Sequence, residues 1–325
     1  MKTVAYSCPF VPAEWIAAHG MRPSRIMPHT SRHTHLFGAA EGVCPYAAGF
    51  ANEVSSDAGG DAVVFTTACD QMRRASELVD RARHGQVFLM NVPSTWQTPA
   101  AHKLYMSELQ RLGRFLVQLG GGSPSHEKLA EVMREYDATR SQLRSARGRL
   151  SPRQYAEAIA EFHRTGTFED RASESEEASS GIPLALVGGP LLLDHLVVFD
   201  MIERVGGYVS LNATTSGERT MPAAFDRRAL RDDPFSVLAE AYFGGITDAF
   251  RRPNSELYRW LKQEIAEVGA HGIIFWRYVW CDIWHAEAQR MKEWADVPLL
   301  VIDGDDGDVD GRTVSRIQAF MEVLT

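Results

Sequence analysis

The chain has 325 residues, 45% of them apolar and 23% charged, which is enough for two ordinary domains with cores of their own. A net charge of −8 and a pI near 5.8 exclude nucleic acid as the main partner, because phosphate binding needs clustered Lys and Arg. Four cysteines in a chain this long are not a disulfide framework, and no apolar run reaches the roughly 18 residues of a membrane span. The expectation is a cytoplasmic protein with reduced thiols and no membrane or nucleic-acid partner.

In chain order, short β-branched runs at 3–6, 24–27, 62–66 and 86–91 predict strands, with helices beginning near Pro12, Cys44 and Cys69. From 99 to 164 the pattern turns helical. Leu104, Leu109, Leu112, Phe115 and Leu116 mark one stripe, Leu129, Val132, Met133, Tyr136 and Leu143 a second, and Tyr155, Ile159 and Phe162 a third. The pairs Ser123-Pro124 and Ser151-Pro152 are start signals for the second and third. Residues 169–181 are acidic and aperiodic and read as an exposed linker. Strands resume near 184–187, 208–211, 272–278 and 298–303. The predicted fold is α/β: two Rossmann-like domains, 1–98 and 182–325, each with a parallel sheet of about four strands, joined by a helical segment over 99–168.

Cys44, Cys69 and Cys281 each stand just before a helical pattern. Unpaired amides and the helix dipole at such positions favour thiolate over thiol. If the three converge where the carboxyl ends of the sheets meet an interdomain cleft, they suit an iron–sulfur cluster with one exposed iron, or a catalytic zinc. Three buried free cysteines are the plain alternative. No P-loop, G-x-G-x-x-G, H-E-x-x-H, G-x-S-x-G or C-x-x-C motif is present, so neither ATP nor NAD has a recognisable site. Gly188-Gly189-Pro190 follows a strand and reads as a ligand-approaching turn or a simple tight one. His29, His33 and His35 offer an H-x-H pair without a carboxylate at ligand spacing, and read as solvated loop residues before zinc ligands. The acidic run from Asp303 to Gly311 imitates a calcium loop, but Ile317 stands where a bidentate Glu is needed, so a solvated loop is expected. Glu14 and His19 lie near Cys8 in sequence and could reach the cleft, with helix capping and surface solvation as the default roles.

Taken together, these pieces resemble the subunits of 2-hydroxyacyl-CoA dehydratases, benzoyl-CoA reductases and double-cubane cluster proteins. The opening Ala5-Tyr6-Ser7-Cys8-Pro9-Phe10-Val11-Pro12-Ala13-Glu14-Trp15-Ile16 is similar to the family's start. Cys44-Pro45-Tyr46 and Cys69-Asp70-Gln71-Met72-Arg73-Arg74 resemble its two N-terminal cysteine motifs, and Trp280-Cys281-Asp282 with Glu287 its third. Ala185-Leu186-Val187-Gly188-Gly189-Pro190, the strand Val297-Pro298-Leu299-Leu300-Val301-Ile302-Asp303 and the helix Arg316-Ile317-Gln318-Ala319-Phe320 complete the series in order. The resemblance implies that Cys44, Cys69 and Cys281 bind an iron–sulfur cluster, [4Fe-4S] first and a double cubane as the alternative, whereas Cys8 matches a position that is not usually a ligand. It implies a lyase acting on an acyl-CoA through one-electron reduction of a 2-hydroxyacyl thioester to a ketyl radical anion and elimination of water. The partners implied are an ATP-hydrolysing iron–sulfur activator and a sister subunit or second copy. A low-potential reductase of the benzoyl-CoA or double-cubane kind, and a subunit that only relays electrons, are the rival readings. The expected cleft is lined by Glu14, Gly188, Gly189, Ser216 and Arg219. Residues 212–219 replace a more acidic stretch common in the family, which leaves the substrate open.

Overall fold

The computed structural model describes residues 1–30, 42–56, 59–83, 85–170, 180–307 and 309–325. Strands β1 (Thr3–Tyr6), β2 (Arg22–Arg25), β3 (Ala62–Thr66) and β4 (Val87–Met90) form one parallel sheet in the order β2-β1-β3-β4. Strands β5 (Ile182–Gly188), β6 (Gly207–Ala213), β7 (Gly272–Tyr278) and β8 (Leu299–Gly304) form a second parallel sheet in the order β6-β5-β7-β8. Each half repeats the 2-1-3-4 order of a doubly wound sheet. The fully buried run Ala-Val-Val-Phe-Thr of β3 shows why: an inner parallel strand is covered on both faces and cannot alternate. The second strand lies two residues earlier than 24–27, because Arg22 to Arg25 pair with Thr3 to Tyr6 and Ile26 only continues the backbone bonding.

Helices α1 (Ala13–Ala18), α2 (Pro45–Ser55) and α3 (Asp70–Arg83) wrap the first sheet. Three helices follow: α4 (Pro99–Gln118), α5 (His126–Ser145) and α6 (Pro152–Thr165). Each begins on a hydroxyl that accepts an N-terminal amide: Thr98 from Ala101, Ser125 from Lys128, and Ser151 from Gln154 in a reciprocal capping box. Gly166, at φ +77°, ends α6 in the left-handed conformation. Tyr105, Leu109, Leu112 and Leu116 bury one stripe of α4 against the first sheet, beside α5. The second sheet carries α7 (Val197–Arg204), α10 (Ser255–Glu267), α11 (Asp282–Trp294) and α12 (Gly311–Leu324). The short helices α8 (Ala229–Asp232) and α9 (Pro234–Ala239) pack back toward α5.

One buried cluster runs from Phe50 and Phe65 in the first half to Leu191, Trp276 and Tyr278 in the second, so the halves share a core. A polar chain ties down the loops at the carboxyl end of the second sheet. The Leu192 amide donates to the Tyr278 hydroxyl, which bonds His195 Nδ1, and His195 Nε2 bonds the Gly307 carbonyl, each at 2.8 Å. A single neutral tautomer, protonated at Nε2, satisfies every link. In the acidic run after β8, of which Asp308 lies outside the described residues, Asp305 accepts from Gly307, and Asp310 caps α12 by accepting from Thr313. Residues 171–179 of the acidic linker, and His33 and His35, lie outside the described residues. His29 is exposed and bonds Asp194 at 3.1 Å.

Candidate active site

In the strand order 2-1-3-4, the connections leaving the first and third strands diverge and open a crevice beyond their carboxyl ends. The chain has two such crevices. The first lies past β1, which leads to Cys8, and β3, which leads to Cys69. The second lies past β5, which leads to Pro190, and β7, which leads to Cys281. They meet in one cavity of about 110 Å³, lined by Cys8, Cys44, Cys69 and Cys281 together. That space exceeds several-fold the roughly 10–15 Å³ that admits one water.

Each cysteine has a specific support. Cys44 is the N-cap of α2, and its amide donates to the Gln71 side chain, whose own amide donates to the Gly42 carbonyl at 3.1 Å. Gln71, next but one to Cys69, therefore clamps the Cys44 loop to the Cys69 loop. Cys281 is the N-cap of α11 and follows Trp280, the one non-glycine residue at positive φ (+65°) among the described residues. The thiols of Cys44 and Cys281 lie near enough to each other to interact electrostatically. The amides of Gln71 and Met72 face the Cys69 sulfur, and the Thr66 hydroxyl and Phe10 amide face that of Cys8.

The electrostatics correct the expectation of free thiolates. Helix amides do reach the sulfurs, but burial pushes Cys69 up to about 11 and also raises Cys8. Cys281 is raised by the neighbouring Cys44 thiol and then by burial. Desolvation of a thiolate outweighs the amides and the dipole. Such sulfurs ionise in place only when a bound cation compensates, which is the chemistry of metal-ligating thiols. Among the described residues, no group of three or more His, Cys, Asp or Glu side chains is arranged around a single metal ion. A polynuclear iron–sulfur group asks for a different arrangement, with thiolates spaced around it on separate irons.

The other expected cleft residues lie behind the wall. Glu14 is wholly buried, paired with Arg140 and accepting from Tyr242 at 2.6 Å, so it locks α1 to α5 and the turn after α9. His19 is buried rather than solvated, its Nδ1 bonding the Trp15 carbonyl at the end of α1. Gly188 gives β5 room: a Cβ there would stand 1.8 Å from the Trp276 carbonyl oxygen. A Cβ on Gly189 would press on Trp284 at 3.1 Å, so the two glycines shape the turn and Pro190 makes the contact with the cavity. Ser216 accepts from the Leu191 amide at 2.9 Å and fastens that same turn. Arg219 donates to the Ala213 carbonyl, the Thr215 hydroxyl and Asp248. From residues 212–219 only Thr215 lines the cavity. Glu287 is buried and accepts from the Tyr258 hydroxyl at 2.6 Å.

Sequence reasoning missed Asp248. Among the described residues it is the only carboxylate lining the cavity, held by Arg219 Nη1 at 2.8 Å and by the Phe250 amide at 2.9 Å. Neither a motif nor a helical or strand period surrounds it, so nothing local marked it.

A family model described as 2-hydroxyglutaryl-CoA dehydratase, D-component, matches residues 8–324. Comparison with curated proteins gave no match.

Proposed function

The chain belongs to the 2-hydroxyglutaryl-CoA dehydratase D-component family, and from that premise we propose that it is the iron–sulfur subunit of an ATP-activated 2-hydroxyacyl-CoA dehydratase. The observation that carries this reading is the meeting of Cys44, Cys69 and Cys281, from three separate strand-to-helix turns, on one cavity between two switch points. A D-component is one part of a multi-component enzyme, which accords with the absence of any nucleotide motif here. In this reading the electron comes from a separate ATP-hydrolysing activator, and a sister subunit or second copy completes the enzyme.

Cys44, Cys69 and Cys281 are the residues that would hold the cluster. When bound, it supplies a low-potential electron and an iron open to a ligand. The protein's own groups do the rest. Phe10, Phe250, Ile283 and Trp284 form an apolar wall that keeps water from a reactive radical. Gln71 fixes the spacing of two cysteine loops, and Arg219 holds Thr215 and Asp248 at the cavity edge. Thr215, which accepts from Arg219 at 2.7 Å, keeps its own hydroxyl proton free for an oxygen of the substrate.

The test is anaerobic iron and sulfide analysis of the purified chain and of four Cys→Ser variants. About four irons per chain are expected for one cubane and about eight for a double cubane. Cys44→Ser, Cys69→Ser and Cys281→Ser should each lose most of the iron, and Cys8→Ser should keep it. Colourless protein that carries zinc in place of iron would overturn the proposal.

A further inference from the structure

Arg251 and Arg252 are neighbours in sequence and opposites in environment. The Arg252 side chain is half exposed, as arginines usually are, whereas Arg251 is 3% exposed. Two other buried arginines are met by carboxylates, Arg140 by Glu14 and Arg219 by Asp248. Among the described residues no carboxylate stands within ion-pair distance of Arg251. Its Nη2 donates to the carbonyls of Phe243 and Ile246, and its Nε and Nη1 are buried without a partner. The guanidinium carbon lies 4.5 Å from the ring centres of Phe10 and Phe243 and 5.4 Å from that of Trp96. Aromatic faces hold a cation there without neutralising it. Burial lowers its pKa only to about 10, so it stays charged at neutral pH.

The ring of Phe10, against which this charge rests, is part of the wall of the cysteine cavity, and so is Asp248 three residues earlier in the chain. Arg251 feels the charges of both Asp248 and Cys8. Glu240 also acts on it, but that side chain is solvated and faces His102. Because Asp248 is already paired with Arg219, Arg251 leaves a surplus positive charge behind this wall. A thiolate-held iron–sulfur group is an anion and gains a further negative charge on reduction. Across an apolar wall the field of a fixed cation is weakly screened.

We infer that Arg251 is a charge-compensating residue: from behind Phe10 it favours the reduced state of a cluster held by Cys44, Cys69 and Cys281 and so raises its reduction potential. The inference rests on the cluster reading above and adds to it a residue that sets the ease of electron uptake. The step concerned is the gain of one electron from an external one-electron reductant, with no bond made or broken.

The experiment is an anaerobic titration of the purified full chain with titanium(III) citrate, following the EPR signal of the reduced cluster. Arg251→Gln removes the charge and Arg251→Lys keeps it. Asn254 lines, with Arg251, a space of about 10 Å³ beside Asp248, and its own Nδ2 is unpartnered. Asn254→Asp puts a carboxylate there without a change of size. Arg251→Gln should make reduction at least about tenfold less favourable, a midpoint lower by about 59 mV for one electron. Asn254→Asp should shift it in the same direction by less, and Arg251→Lys should stay within about twofold of wild type. A packing defect would lower stability or iron content without ordering the potentials by charge. An Arg251→Gln potential equal to wild type, or an Arg251→Lys potential as low as that of Arg251→Gln, would overturn the inference and leave the cluster reading standing. Where Arg251→Gln does not fold, an unmoved potential in Asn254→Asp overturns it. A wild-type chain that binds no iron sinks the cluster reading, and this inference with it.

Discussion

Trp280 is the residue on which geometry and site meet most closely. It is 55% exposed, so apolar burial does not account for its φ of +65°. The left-handed conformation costs a bulky residue about 1–2 kcal/mol, and here it turns the chain so that Cys281 heads α11 toward Cys44. Trp280→Ala and Trp280→Gly both remove the indole, but only glycine removes the strain. The glycine variant should therefore be the more stable by about 1 kcal/mol in urea denaturation, net of its greater unfolded-state entropy. Equal midpoints would mean that the turn is relaxed. Glu14 teaches the opposite lesson at the same scale. A carboxylate beside a cysteine motif looks catalytic in sequence, yet its partners Arg140 and Tyr242 occupy it in a structural pair.

At the scale of an element, the segment after β6 works as a scaffold. Asn212 Oδ1 accepts from the Thr214 amide and hydroxyl, Ser216 holds the turn after β5, and Glu218 pairs with Arg147 at 3.0 Å. Burial pushes Glu218 up to about 7, outweighing the attraction of Arg147 and the Asn212 amide. The folded state then binds this proton more tightly than the unfolded chain does. Its contribution is fully present below about pH 4.5 and is lost as the pH rises through 7, on the order of 3 kcal/mol by linkage. Glu218→Gln keeps a neutral side chain at every pH. The loss of stability between pH 4.5 and 7 seen in wild type should be smaller in the variant, measured as urea midpoints across that range. Parallel profiles would show that Glu218 ionises at its ordinary value.

Across the whole molecule, the two sheets are joined by polar contacts as well as by a shared core. Arg25, at the end of β2, is buried and donates to the Ser7 carbonyl at 3.1 Å, the Thr220 hydroxyl at 3.0 Å and the Thr215 carbonyl at 2.7 Å. It thus binds the loop that carries Cys8 to the loop that carries Thr215, one from each half. A lysine has the charge without the planar fork and cannot satisfy all three acceptors. Arg25→Lys should cost about 2–4 kcal/mol in urea denaturation, through acceptors left buried and unpaired. If the cysteines hold the proposed cluster, the same variant should release iron faster on exposure to a chelator, because the cavity is built from both halves. A change below about 0.5 kcal/mol would show that the shared core alone holds the halves together.

How much of this was legible in the sequence follows from range. Alternation of β-branched runs with helical stripes, read over ten or twenty residues, determined the class, the eight parallel strands within a few positions, and the capped helices starting at Pro99 and Pro152. The N-terminal placement of Cys44, Cys69 and Cys281 on helices was equally local and is seen in the structure. Tertiary structure decided everything that depends on what lies across a gap. It brought Cys8 to the same cavity, withdrew Glu14 and His19 into the core, and put Arg219 behind the wall. It also put Asp248 on the cavity, held by Arg219 from the segment after β6 and by the Phe250 amide two residues further on. The sulfurs followed the same rule: a helix dipole can be read from sequence, whereas desolvation depends on residues hundreds of positions away, and for Cys69 desolvation is the larger effect.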